Sequence, residues 1–247
     1  MRPSDFYVKN IVKKFGYFAS WFPNSPIQLG DVGVMEGPYF KQLTSLKELQ
    51  LSFVPRTSKK SANFSYSWEA DFAIDSNASV NIANVGITSS LNVKFNNAGA
   101  FVFETTDCTI TEIENKISLG LEIKKMFIAN TWEVDWVVID SIVAAGSSTI
   151  IISNSNNSEI QLSASGELSK INLTDANLGL KIKNQTGEIT KFLADKGLVP
   201  MFKTSKIKLS FLQRITKDKE NAHFGGKVKR RKSKNYSEKE IWESTLK

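Results

Sequence analysis

Residues 64–74 read FSYSWEADFAI, with Phe64, Tyr66, Trp68, Ala70, Phe72 and Ile74 on alternate positions. Six consecutive matches to a period of two predict one continuous strand with a single apolar face. The runs that follow, ASVNIANVGITSS (78–90) and LNVKFNNAGAFVF (91–103), keep the alternation more loosely through Val80 and Ile82, then Leu91, Val93 and Phe95. Asn96-Asn97 with Gly99 supplies a turn. The middle of the chain is therefore read as β.

At TITEIENKISLGLEIKKMFIANTW (109–132) the period changes. Ile110, Ile113, Ile117, Leu121, Lys124/Lys125 and Ile128 describe a helix over about 110–130 with one apolar stripe. Thr109 or Thr111 would cap it, with Glu112 and Glu114 in the first turn. Strand patterning returns with Trp132, Val134, Trp136 and Val138 on one face, a hairpin turn at Gly146-Ser147, and the β-prone run Ile150–Ile152. ANLGLKIK (176–183) and VPMFKTSKIKLSF (199–211) add strands around a short helical stretch near GEITKFLADKG (187–197), closed by Gly197.

Upstream, Phe6, Val8, Ile11, Val12, Phe15 and Phe18 recur at near-helical spacing, with Lys9, Lys13 and Lys14 mostly between them. This is a basic amphipathic helix, suited to packing on a domain or to touching anionic lipid. Pro23 and Pro26 end it and open a strand, IQLGDVGVM (27–35), broken at Gly30. After Gly37-Pro38 come a short strand and one or two helical turns carrying Leu43, Leu46 and Leu49. Strand and helix signals are segregated in runs, so the expected class is α+β. A mainly antiparallel twisted sheet is accompanied by an N-terminal amphipathic helix and a central helix.

The 247 residues carry a formal charge of +7, but residues 217–247 hold ten Lys/Arg against five Asp/Glu. That leaves 22 against 20 in residues 1–216, so the basic character is local. A single cysteine, Cys108, excludes an intramolecular disulfide, and no apolar run reaches the roughly 20 residues of a membrane helix. The first 22 residues show no compact apolar segment with a small-residue cleavage site, and a cytoplasmic protein is expected. His223 is the only histidine, so there is no partner for a Ser-His-Asp or Cys-His system, no zinc site and no enzyme of those types. No phosphate-cradling glycine loop is present, and no cofactor is expected. Glu112 with Glu114, and Glu133 with Asp135, read as solvated charges, and Cys108 as a buried small residue.

Two segments are nearly free of charge. Ser76–Phe103 contains only Lys94, and Ser141–Ser158 has no charged residue at all. Either a covered sheet or strands that enter a bilayer would explain this, since an alternating strand of roughly 10 residues spans the hydrocarbon when the sheet closes. The two candidate hairpins, about 76–104 and 135–165, flank the central helix.

The order of these elements resembles the pore-forming domain of gasdermins. A basic amphipathic helix is followed by VGVMEGPYFKQLTSLKEL (32–49), two long strand pairs around a helix, and a closing VPMFKTSKIKLSF strand, over residues 5–212. The resemblance implies a cytoplasmic monomer held inactive by a C-terminal segment. A protease cuts it, and the freed domain assembles into a membrane β-barrel that causes cell death. Microbial members are similar in having only a short inhibitory C-terminal peptide. Where bacterial members often carry a lipidated cysteine, this chain begins Met1-Arg2-Pro3-Ser4.

On that expectation residues 1–216 are the pore-forming domain, 217–235 a basic exposed linker, and 236–247 the docking segment. Lys9, Lys13, Lys14 and Phe15 would meet anionic lipid. Lys229, Arg230, Arg231 and Lys232 would form the cleavage linker. Tyr236, Ile241, Trp242 and Leu246 would be the apolar anchors of a short amphipathic segment capped by Ser237, which needs a partner surface because so short a helix is unstable alone. The partners implied are anionic lipid, an activating protease and further copies of the chain. The rival reading is a non-enzymatic module whose tail, Lys227 to Lys234, binds nucleic acid or another anionic surface.

Overall fold

A computed structural model describes residues 2–75, 88–165, 173, 180–208, 223–227, 229–231 and 241–243. In chain order these form α1 (Pro3–Phe15), β1 (Phe18–Ala19), β2 (Asp31–Glu36), β3 (Tyr39–Ser45), β4 (Pro55–Thr57), β5 (Ala62–Trp68) and β6 (Ala70–Asp75). Then come β7 (Thr88–Phe95), β8 (Phe101–Ile113), α2 (Lys116–Ile128), β9 (Val137–Ala144), β10 (Ser147–Ser153), β11 (Ser158–Ser165) and β12 (Lys181–Thr186). β13 (Ile189–Asp195), β14 (Met201–Lys208), β15 (His223–Lys227), β16 (Lys229–Arg231) and β17 (Ile241–Glu243) complete the order. The class is α+β with antiparallel ladders, as the alternation predicts.

The chain divides into two compact units. The first holds Met1–Tyr7, Lys60–Thr109 and Ala144–Leu198. In it β8 pairs with β5 (Tyr66↔Phe103) and β10 (Ile151↔Val102), and β10 pairs in turn with β13. A four-stranded sheet runs β12-β11-β7-β6. Its inward residues Leu91, Val93, Phe95, Ile160 and Leu162 pack with Val102 and Ile151 of the other ladder into one core. Burial of this apolar surface is what holds the unit together.

The second unit is Val8–Lys59, Ile110–Val143 and Val199–Lys247. Here β14 lies between β1 (Phe18↔Phe202) and β9 (Phe202↔Ile142), and β15 extends β14. Leu119, Ile123 and Phe127 of α2 pack with Trp132 against Val32, Leu46, Val138 and Ile207. At Gly33 a side chain is sterically excluded: a Cβ there would lie 2.0 Å from the Lys41 carbonyl oxygen. The β2–β3 ladder shifts register at that point.

Several expectations are corrected. FSYSWEADFAI is two strands, because Glu69 turns left-handed (φ 49°) and sends β5 to β8 but β6 to β7. A count of parity cannot see this break, since the alternation continues through it. Residues 110–113 belong to β8, pairing with β4, so Thr109 and Thr111 cap nothing. Helix α2 starts after Asn115, whose Oδ1 accepts from Val54 N–H at 2.7 Å, and it ends at left-handed Asn130 (φ 60°).

The face of α2 is also the reverse of the expected one. Leu119, Gly120, Ile123 and Phe127 are buried, while Ile117, Leu121 and Ile128 are exposed. Leu46 and Leu49 lie at a turn that follows Leu43 of β3, and residues 189–195 form a strand paired with β10 rather than a helix.

Candidate functional site

Helix α1 uses most of its apolar face for packing. Tyr7, Val8 and Ile11 are buried, and the Tyr7 ring stands edge-on to Phe101 at 5.2 Å. Burial pushes the Tyr7 hydroxyl far above the usual phenol range. Of the proposed lipid contacts, Lys13 and Lys14 are exposed, while Lys9 and Phe15 are half-buried. What the helix offers outward is charge, concentrated in its last turn.

The charge-poor strands are arranged differently from two hairpins. Strand β7 pairs with β11 over eight positions, Phe95↔Ser158 to Thr88↔Ser165, so strands from the two segments are neighbours. Their inner face is apolar. Their outer face carries Asn92, Lys94, Glu159 and Gln161, with Asn92 Nδ2 donating to Glu159 Oε1 at 2.5 Å and Lys94 Nζ 3.8 Å from Glu159. Strand β10 is buried at every position from Ser147 to Ser153, between β8 and β13. For β10, a covered sheet accounts for the missing charge. Val80 and Ile82 lie outside the described residues.

A polar cluster that the sequence does not flag lies at the start of α2. Glu112 accepts a hydrogen bond from Arg56 Nη2, and Glu114 is 4.0 Å from the same guanidinium. Lys116 Nζ donates to Asp140 Oδ2 at 3.2 Å, and Ser205 Oγ donates to the same oxygen at 2.6 Å. Asp140 is buried, and its Oδ1 has no hydrogen-bond partner among the described residues. The available signal was a lone carboxylate inside VVIDSIVA. Glu112 is thus held by Arg56, whereas Glu114 is exposed, as the reading of solvated charges expects. Glu133 and Asp135 are exposed. Cys108 is buried, donates to Thr105 Oγ1 at 3.3 Å, and has its thiol pushed up by burial, the reverse of a reactive thiolate.

The Arg56 hydrogen bond, reinforced by Lys116, holds the Glu112 carboxyl below the usual carboxylate range despite some desolvation. A lowered folded value stabilises above the unfolded carboxylate pKa, about 4.3, and that contribution is lost as pH falls through the folded value. Arg56→Gln should therefore lower the melting temperature at pH 7, and the gap from the parent should begin to narrow below the unfolded value of about 4.3 and close once pH is below the lower folded value. Asp31 and Glu104 act oppositely. Burial raises both, so their protonation adds stability as pH falls from neutral, in the parent and the variant alike.

The C-terminal elements are strands. His223–Lys227 forms β15 on β14, which makes Gly225-Gly226 part of a ladder, with Gly226 opposite Lys206. Lys229, Arg230 and Arg231 pair with Glu243, Trp242 and Ile241, so the expected cleavage run and two of the expected anchors are strand partners. Ile241–Glu243 is a strand where the sequence suggests a capped helical segment. Lys232, Tyr236 and Leu246 lie outside the described residues.

Among the described residues no helix is long and apolar enough to cross a membrane, a fact that bears on helices alone. Comparison with known proteins finds no family model that matches the chain and no curated protein sequence that matches it.

Proposed function

We propose that this chain is a non-enzymatic, gasdermin-like pore-forming protein. At rest it is a cytoplasmic monomer restrained by residues 236–247. Cutting in the basic run frees it to bind anionic lipid through Lys13 and Lys14 of α1, with Lys9 and Phe15 behind them, and to assemble into a β-barrel. The observation that carries the reading is the β7–β11 ladder. Each strand is eight residues long and antiparallel, with an apolar face of Leu91, Val93, Phe95, Ile160 and Leu162. Asn, Gln and Ser, with one Lys–Glu pair, form the other face.

That pattern fits strands that exchange a protein core for lipid while keeping a wet face toward a lumen. Closure of many such ladders removes every unpaired edge, which is the condition for β structure to enter hydrocarbon.

The test is a chain with a specific protease sequence inserted after Lys232. Uncut protein should leave dye-loaded anionic vesicles intact, and cut protein should empty them. Cut protein that stays folded and releases no dye sinks the reading. Salt-sensitive binding of nucleic acid by the intact chain, with vesicles unaffected by cutting, would favour the phosphate-binding alternative centred on Lys227 to Lys234.

A further inference from the structure

Helix α2 carries a second apolar face, turned away from the core. Ile117 is 85% exposed, Leu121 57% and Ile128 43%. At i, i+4 and i+11 they fall within one narrow arc of the helix, well apart from the Leu119/Ile123/Phe127 face that enters the core. Val54 adds a fourth exposed aliphatic side chain at the start of the helix, where its N–H donates to Asn115 Oδ1 at 2.7 Å and its carbonyl accepts from Glu114 N–H at 2.8 Å. So many large aliphatic side chains on one short helix and its edge are more than scattered surface apolarity.

Lysines border this arc. By helical spacing Lys124 lies beside Ile117 and Ile128, and exposed Lys125 lies beyond Leu121, 2.8 Å from Glu122. The third lysine of the helix, Lys116, is directed to buried Asp140 instead. The outer face is therefore aliphatic along its middle and basic at both sides.

We propose that this face of α2 rests on anionic lipid in the intact chain. Ile117, Leu121 and Ile128 enter the interface, and Lys124 and Lys125 meet the headgroup phosphates with their stems laid along the apolar boundary. The contact goes beyond the pore reading, because it needs neither cutting nor assembly and does not use the lysines of α1. The combination of chemistries selects the occupant. Two copies laid face to face would bring Lys124 and Lys125 of both against each other, and a nucleic acid would take the lysines while leaving the aliphatic residues in water. An anionic membrane surface accepts both at once. With 13 residues α2 is too short to span the hydrocarbon, so its axis lies in the plane of the interface. So small an apolar area gives a reversible attachment, and the resting chain still exchanges with solution.

Full-length, uncut protein carrying Leu121→Cys tests this, because the native Cys108 is fully buried and an environment-sensitive maleimide dye goes to the added thiol. Its emission should shift to the blue with phosphatidylserine-containing vesicles and stay unchanged with phosphatidylcholine alone. Ile117→Ser with Leu121→Ser in the unlabelled chain should weaken co-sedimentation with the anionic vesicles roughly tenfold or more, and Lys124→Gln roughly fivefold. Circular dichroism confirms folding, and Ile128→Cys carries the dye if Leu121→Cys does not fold. A dye that stays in water while the chain co-sediments places the lipid contact elsewhere and overturns the proposal. So does a shift that grows with protein concentration in the absence of vesicles, which assigns the face to a second copy, and so does an intact chain that does not co-sediment at all. None of these results touches the pore reading, which is read from dye release by the cut chain.

Discussion

Ile151→Lys should unfold the protein or bring it close to unfolding. Ile151 is fully buried at the centre of β10, opposite Val102 of β8 and Lys191 of β13, and it packs in the core with Leu91, Val93, Ile160 and Leu162. An ammonium there has lost its water, and the side chains of that core cluster are all apolar. The group must give up its proton or drag water into the core, at a cost on the order of 4 kcal/mol or more against a total stability of about 5–15 kcal/mol. Leu43→Lys is the matched control, because Leu43 on β3 is half in solvent, and its cost should stay within about 0.5 kcal/mol. Thermal melts of both variants make the comparison. Nearly equal melting temperatures would mean that β10 is not buried as described.

The second large effect concerns α1 after the tail is cut. Lys13 and Lys14 are exposed in the last turn, and a lysine near an anionic surface contributes roughly 1 kcal/mol. Neutralising both with Lys13→Gln and Lys14→Gln should weaken vesicle binding roughly 30-fold, the ratio that about 2 kcal/mol sets. Glutamine is preferable to glutamate, which would oppose the helix dipole at this end and confuse a stability change with a binding change. Tyr7, Val8 and Ile11 remain untouched, so the melting temperature should hold. Co-sedimentation at low and physiological salt reads the effect, and unchanged binding would move the lipid contact off this helix.

Alternation made β7 and the fold class legible, because Leu91, Val93 and Phe95 are inward and Asn92 and Lys94 are not. It failed where two physical solutions share one pattern. Across Glu69 the parity is continuous while the backbone is not. Between Thr109 and Ile113 the apolar spacing suits a helix as well as the end of a long strand, and pairing with Pro55–Thr57 decides for the strand. On α2 both faces are apolar, so local sequence cannot say which meets the core. The contacts of Leu119, Ile123 and Phe127 with Val32, Val138 and Ile207 do.

The site was legible in its parts and not in its arrangement. The lysines of α1 and the basic run stand out as charge. That Arg230 faces Trp242, or that Lys116 and Ser205 meet on Asp140, depends on pairings far apart in the chain. The near-absence of charge in 76–103 and 141–158 was visible at once. Why 141–158 lacks charge was not, since it depends on β10 being buried at every position, whereas β7 in the other segment keeps a polar face.

The central claim is that the chain, once released from its C-terminal segment, builds a protein-lined pore. Electrical recording across a planar anionic bilayer tests it most directly, with folded chain cut after Lys232 added to one side. Discrete, lasting steps of conductance from cut protein, and a silent bilayer with uncut protein, are the predicted result. A bilayer that stays silent while cut, folded protein is bound to it would contradict the account.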